Sequence, residues 1–152
     1  MLDNLDKIIL RELQLDARVS NADLARSVGL SPSATLTRVK RLEESEYIKG
    51  YATEINRQQI GYDLLCFVSV SLQRHQVSQV ENFHEAIQGM PEVLECHHLT
   101  GDHDYLLKVV AKNTVDLEHF LVHRLTPIDG VDRIHTRVVL SEVKSSSAIP
   151  IP

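Results

Sequence analysis

Residues 20–49 read SNADLARSVGLSPSATLTRVKRLEESEYIK, two short helical patterns that meet at Gly29. Ser20, followed three positions later by Asp23, forms a capping pair, and Leu24, Ala25 and Val28 recur on one face at helical spacing. Gly29 stops that helix. Ser31 caps the next with its hydroxyl, and Pro32 suits the first helical position because an N–H there would be unpaired anyway. Leu36, Val39 and Leu42 mark the expected buried stripe of the second helix. The remaining face, with Ser31 at its start, presents Ser33, Thr35, Thr37, Arg38, Lys40 and Arg41. Short hydroxyls mixed with cations suit a helix pressed into a DNA major groove with phosphates on either side.

A capped helix pair is common in helical proteins, so the flanks carry weight. Upstream, Leu5, Ile8, Ile9 and Leu13 form an apolar stripe that can close a three-helix core. Downstream, Ile48 to Ile55 alternates like a short strand or wing. Residues 1–60 are therefore predicted to be a winged helix-turn-helix.

At 152 residues the chain suits one medium domain or two small ones, and its 43% hydrophobic content is that of an ordinary globular protein, with a net charge of −5. No stretch approaches the roughly 18 consecutive apolar residues of a membrane span, and MLDNLDK lacks the character of a signal peptide, so a cytoplasmic protein is expected. Cys66 and Cys96 lie in strand-like segments and read as buried reduced thiols. The negative charge is unevenly spread. Residues 1–60 hold nine Lys+Arg against nine Asp+Glu, whereas residues 61–152 hold seven against twelve. A neutral domain with one basic helix binds DNA weakly alone, so useful affinity calls for several copies on one DNA.

Past the polar run NRQQIGYD, residues 56–63, the period changes. Cys66, Val68, Val70 and Leu72 alternate as a strand; Val80, Phe83 and Ile87 repeat as a helix ending at Gly89 and Pro91. Two strands follow, Val93 to Thr100 and Asp104 to Ala111, around a turn of Gly101, Asp102 and His103. Leu117, Phe120, Leu121 and Leu125 make a second helix, closed by Pro127 and Gly130, and Ile134, Thr136, Val138 and Leu140 alternate in a last strand. The order βαββαβ over residues 64–143 predicts a ferredoxin-like fold with both helices on one face of the sheet. The other face would stay bare, and its aliphatic residues would need a partner, most simply a second copy. Residues 144–152, ending SSSAIPIP, are expected to be a C-terminal tail too short to form an independent element.

This α+β arrangement, a winged helix-turn-helix followed by a βαββαβ domain, resembles the Lrp/AsnC family of transcription regulators. The resemblance rests on LDKIILRELQLDARVSNADLARSVGLSPSATLTRVKRLEES, on MPEVLECHHLTGDHDYLLKVV and on GVDRIHTRVVLSEVK, and covers nearly the whole chain. It implies double-stranded DNA as a partner, a homodimer assembling to an octamer, and a small effector, an amino acid or related metabolite, bound between dimers.

Free amino acids are zwitterions, so such a pocket needs an anionic acceptor for the ammonium, N–H donors for the carboxylate and a selective lining. By resemblance, Gly101, Asp102 and Asp104 stand at the effector loop, with Leu99, Thr100 and His103 beside it and Thr136 and Val138 nearby. A plain hairpin turn would use Gly and Asp equally well. The resemblance also implies glycine where this chain has Glu46, just past the third helix.

Metal and catalytic chemistry find little footing. His119 and His123 share a helical i,i+4 spacing without an HExxH pattern, and His97 and His98 point to opposite faces of a strand. No nucleophile, acid–base pair or phosphate-binding glycine loop stands out, and no cofactor is called for. Two other classes remain open: a sirohaem-decarboxylase-like enzyme of the same architecture, which would recruit histidines and arginines, and an effector-sensing module with a defunct DNA-binding domain.

Overall fold

The computed structural model describes residues 2–73 and 77–152. The chain divides into two compact units, Met1–Glu54 with Lys144–Pro152, and Ile55–Val143.

Three helices build the first unit: α1 (Asn4–Leu15), α2 (Asn21–Val28) and α3 (Pro32–Glu44). Each begins at a side-chain cap, a feature worth about 1 kcal/mol apiece. Asp3 accepts the Asp6 N–H at 2.8 Å while Asp6 accepts the Asp3 N–H at 3.0 Å, a reciprocal capping box. Ser20 accepts from Asp23 and Ser31 from Ala34. Gly29, at φ +68°, turns α2 out of its helix. Ile9, Leu10, Leu24, Val28 and Leu42 form the shared core, ringed by half-buried Leu5, Ile8, Leu13 and Val39.

The buried side of α3 differs from the expected stripe. Thr35 is fully buried, and Leu36 is 45% exposed. Thr35 tolerates burial because its hydroxyl donates to the Ser31 carbonyl at 3.0 Å, leaving no unmet polar group. The inward line is therefore Thr35, Val39 and Leu42, one step round the helix from the apolar pattern.

A buried carboxylate joins α1 to α3. Asp6 is only 1% exposed and accepts from Arg38 at 2.8 Å and from Arg41 at 2.6 Å on both oxygens. Arg38 also donates to Asp3 at 2.6 Å. The Asp6 N–H and then the Arg38 guanidinium hold the Asp3 carboxyl below its ordinary pKa.

After α3, Glu46 has φ +57°, the left-handed conformation that a Cβ disfavours. The N–H of Ile48 donates to the Leu42 carbonyl at 3.1 Å across this turn. The strand expected from Ile48 to Ile55 is not formed: residues 48–56 are irregular. Tyr51 pins this segment to α3 by donating to Glu43 at 2.9 Å. Alternation alone cannot make a strand without a neighbouring strand to satisfy its backbone.

The second unit is a four-stranded antiparallel sheet in the order β2-β3-β1-β4. Its elements run β1 (Leu64–Leu72), α4 (Val77–Gln88), β2 (Val93–His98), β3 (Tyr105–Ala111), α5 (Thr114–His119) and β4 (Val131–Val138). α5 continues as a π-helical stretch, Phe120–Leu125, in which Thr126 donates to the carbonyl of Leu121 five residues back at 2.9 Å. Cys66, Val68, Val70, Leu107 and Val109 pack against Phe83, Ile87, Leu117, Phe120 and Leu125, so both helices cover one sheet face.

The opposite face is aliphatic only in part: Leu65, Phe67, Leu106 and Val110 alternate with the core-facing residues and share it with polar side chains. Ser69 and Ser71 at its centre are buried. Arg137 donates to Ser69 at 3.0 Å, and His103 Nδ1 lies 3.1 Å from the Ser71 hydroxyl. Cys66 is buried as expected, but Cys96 is exposed on edge strand β2; burial and desolvation still push both thiols up in pKa.

Replacing Glu46 by Gly should stabilise the first unit by about 1 kcal/mol by relieving the left-handed strain. Urea midpoints of the two proteins check this, and equal midpoints would mean the turn suits glutamate. Asp6→Ala should cost about 2–3 kcal/mol, below the ~3–5 of a fully buried pair because Arg41 keeps a 53% exposed side chain. A loss under about 0.5 kcal/mol would show that both arginines resolvate freely.

Candidate nucleic-acid interface and ligand loop

The exposed side of α3 carries Ser33, Leu36, Thr37 and Lys40, spaced three and four residues apart on one helical face. Thr37 satisfies itself by donating to the Ser33 carbonyl at 3.0 Å. Ser31 and Ser33, both exposed, sit 3.2 Å apart at the helix start. Lys40 is exposed and, among the described residues, joins no ion pair.

Of the residues expected to face DNA, Thr35 stands elsewhere, and Arg38 and Arg41 are paired with carboxylates of the same unit. Thr35 lies inside the core, where it cannot reach a groove. Arg38 and Arg41 are engaged by Asp3 and Asp6, which neutralise much of their charge; Arg38 is the more enclosed. Leu36 was missed because an apolar residue on a helix is read as core. Its phase relative to Thr35 held the only clue.

The turn between β2 and β3 is built around Asp104. Its carboxylate accepts the Leu72 N–H at 2.7 Å, its own N–H donates to the Val70 carbonyl at 3.0 Å, and its carbonyl accepts from Leu99 at 2.8 Å. Asp104 thus ties the hairpin to the end of β1. Gly101, at φ +116°, makes the turn in a conformation L side chains rarely adopt. Leu99, Thr100, Gly101 and Asp102 are exposed, whereas His103 is half-buried with its ring 4.9 Å from that of His135.

Strand register separates Thr136 and Val138 from this turn within one chain. Thr136 lies opposite Val68 and Val138 opposite Cys66, whereas Asp104 bonds Val70 and Leu72. At about 3.3 Å per residue that is some 7–20 Å along β1. The two also share the helix-covered face of Cys66 and Val68, while His103 meets Ser71 on the other face. The β4 residue that touches the turn is His135, which the alternation pattern did not single out.

His119 and His123 have ring centroids 5.0 Å apart. Among the described residues no group of three potential metal ligands gathers there or elsewhere. No helix among them is long and apolar enough to cross a membrane.

Comparison with known proteins completes the picture. Residues 2–49 match the winged helix-turn-helix DNA-binding family, and residues 65–149 match the Lrp/AsnC ligand binding domain, although residues 144–149 of that match belong to the helical unit here. The chain is 41% identical over 150 residues to the leucine-responsive regulatory protein of Escherichia coli (strain K12), covering 99% of this chain and 92% of that one. It is 38% identical over 151 residues to the transcriptional regulator AzlB of Bacillus subtilis, covering 99% and 96%. Among solved structures, the transcriptional regulator NMB0573 of Neisseria meningitidis in complex with L-Met superposes with a TM-score of 0.95 at 34% identity, covering 99% of this chain and 97% of that one. These relatives are regulators, and the decarboxylase reading finds no support among them. With both domain families in order along nearly its full length, the chain belongs to the Lrp/AsnC family of DNA-binding transcriptional regulators.

Proposed function

We propose that the protein reads a DNA half-site with the exposed face of α3 and that an amino acid, bound where copies of the ligand-binding domain meet, controls its assembly on DNA. The exposed face of Ser33, Leu36, Thr37 and Lys40 carries the first part of this reading. Hydroxyls can read base edges, Leu36 can meet a thymine methyl, and Lys40 can neutralise a phosphate. Ser31, at the N-terminal start of α3, lies where backbone N–H groups favour a phosphate. Arg41 adds charge through the exposed part of its guanidinium, whereas Arg38 serves chiefly to hold α3 on α1.

For the effector, Asp102 and Asp104 supply negative charge for an ammonium, Thr100 and Gly101 supply exposed backbone donors, and the Leu99 side chain supplies an apolar edge. Thr136 and Val138 join only if a neighbouring copy contributes them, which is why the pocket is proposed to lie between dimers. The L-Met bound to the Neisseria relative supports an amino-acid ligand. A homodimer assembling to an octamer would place several weak DNA-binding units on one DNA, and the setting is the cytoplasm. The effector acts through its differential affinity for two assembly states.

Lys40→Ala should weaken binding to all DNA sequences about three- to tenfold and reduce the salt dependence by about one phosphate contact, with the fold unchanged. Fluorescence anisotropy across a salt series checks it. Wild-type affinity would remove Lys40 from the interface. For the effector, a thermal-shift screen of the twenty amino acids should find one or more that raise the melting temperature. Asp104→Asn keeps an acceptor for the Leu72 N–H while removing the charge, so it should fold normally yet lose at least about tenfold in that ligand's affinity. Unchanged titrations in both Asp104→Asn and Asp102→Asn would put the ammonium elsewhere.

A further inference from the structure

The segment after β4 returns to the helical unit, and the way it is held assigns it a role. Residues 144–152 have no regular structure, yet they group with α1–α3. The Gln14 carboxamide grips Ile149 at two points: its Nε2 donates to the Ile149 carbonyl at 3.0 Å, and its Oε1 accepts the Ile149 N–H at 2.6 Å. One turn earlier on α1, Arg11 donates to the Ile151 carbonyl at 3.0 Å. Ile151 itself packs against the core formed by Ile9, Leu10, Leu24, Val28 and Leu42.

The local sequence prepares this contact. Ile149 and Ile151 both precede proline, which disfavours helical backbone and keeps them extended. In an extended segment alternate residues face the same way, so the carbonyls of 149 and 151 can meet side chains three apart on α1. Pro150 and Pro152 carry no N–H that would be left unpaired, and they reduce the freedom lost on docking. The face of α1 that bears Arg11 and Gln14 thus behaves as a peptide-binding surface with a matching peptide in the same chain.

We propose that residues 148–152 are an intramolecular strap, docked on α1 of the same chain, which closes the DNA-binding unit and gives its helices a second, non-covalent tie to the ligand-binding unit. One link runs through residues 54–55 and the other through residues 143–144. A unit held at two points has fewer orientations than one on a single linker. The strap therefore limits how freely the DNA-binding helices reorient when the ligand-binding unit changes state.

Hydrogen exchange of the full-length protein tests this, read on the peptide covering residues 2–15. Ile151→Ser and Gln14→Ala should each speed exchange there by about fivefold, through local opening of α1. Ile149→Ser should leave it unchanged, because that side chain is 70% exposed and only its backbone is held. Wild-type exchange in Ile151→Ser, or equal effects of the two isoleucine variants, would overturn the proposal. Mixed oligomers in which only the Ile151→Ser chain is isotope-labelled then locate the effect. Loss of protection on the labelled chain supports the same-chain strap, and loss on its unlabelled neighbour overturns it.

Discussion

The DNA-binding unit depends on the carboxylate of Asp6, buried between α1 and α3 and shared by two arginines of α3. It caps α1 through the Asp3 N–H and anchors α3 through Arg38 and Arg41, so one side chain fixes both a helix start and a helix packing angle. Buried charge is costly unless paired, and here the pairing is with residues that would otherwise extend toward phosphate. Arg38, the more enclosed of the two, is consequently committed to structure, whereas Arg41 keeps a 53% exposed side chain. Among the described residues, Lys40 is the cation of α3 left outside an ion pair, and Leu36 lies on the same exposed face.

That commitment bears on affinity. A domain with nine basic and nine acidic residues, two of its α3 arginines internally neutralised, presents few charges to a duplex. Non-specific affinity scales with phosphates neutralised, which is the reason the proposed function has several copies acting together. Control by assembly suits such a protein, because changing the number of joined units changes DNA affinity steeply without altering the contacts of any one.

The ligand-binding unit follows the same economy. Asp104 holds the hairpin to β1 by two hydrogen bonds and closes the hairpin itself by a third, from the Leu99 N–H. The sheet face away from the helices sets Ser69, Ser71, His103, His135 and Arg137 beside Leu65, Phe67, Leu106 and Val110, a mixed surface. A partner there would be selected by hydrogen bonding and charge as well as by apolar contact.

Much of this was legible in the residues. Three helices, the caps of the second and third, the βαββαβ order and the glycine at the hairpin all follow from spacing, because caps, periodicity and turn preferences act within a few residues, while the left-handed turn at Glu46 was implied by the resemblance. What escaped depended on partners far away in the chain. The phase of α3, with Thr35 inward and Leu36 outward, is decided by packing on α1 and α2, and the fate of Arg38 and Arg41 by a carboxylate more than thirty residues away. Register on β1 set Thr136 and Val138 apart from the turn, and docking on α1 gave residues 148–152 a place. Short-range order is written in adjacent residues, whereas ion pairs, strand register and docked segments exist only once the chain has brought distant groups together.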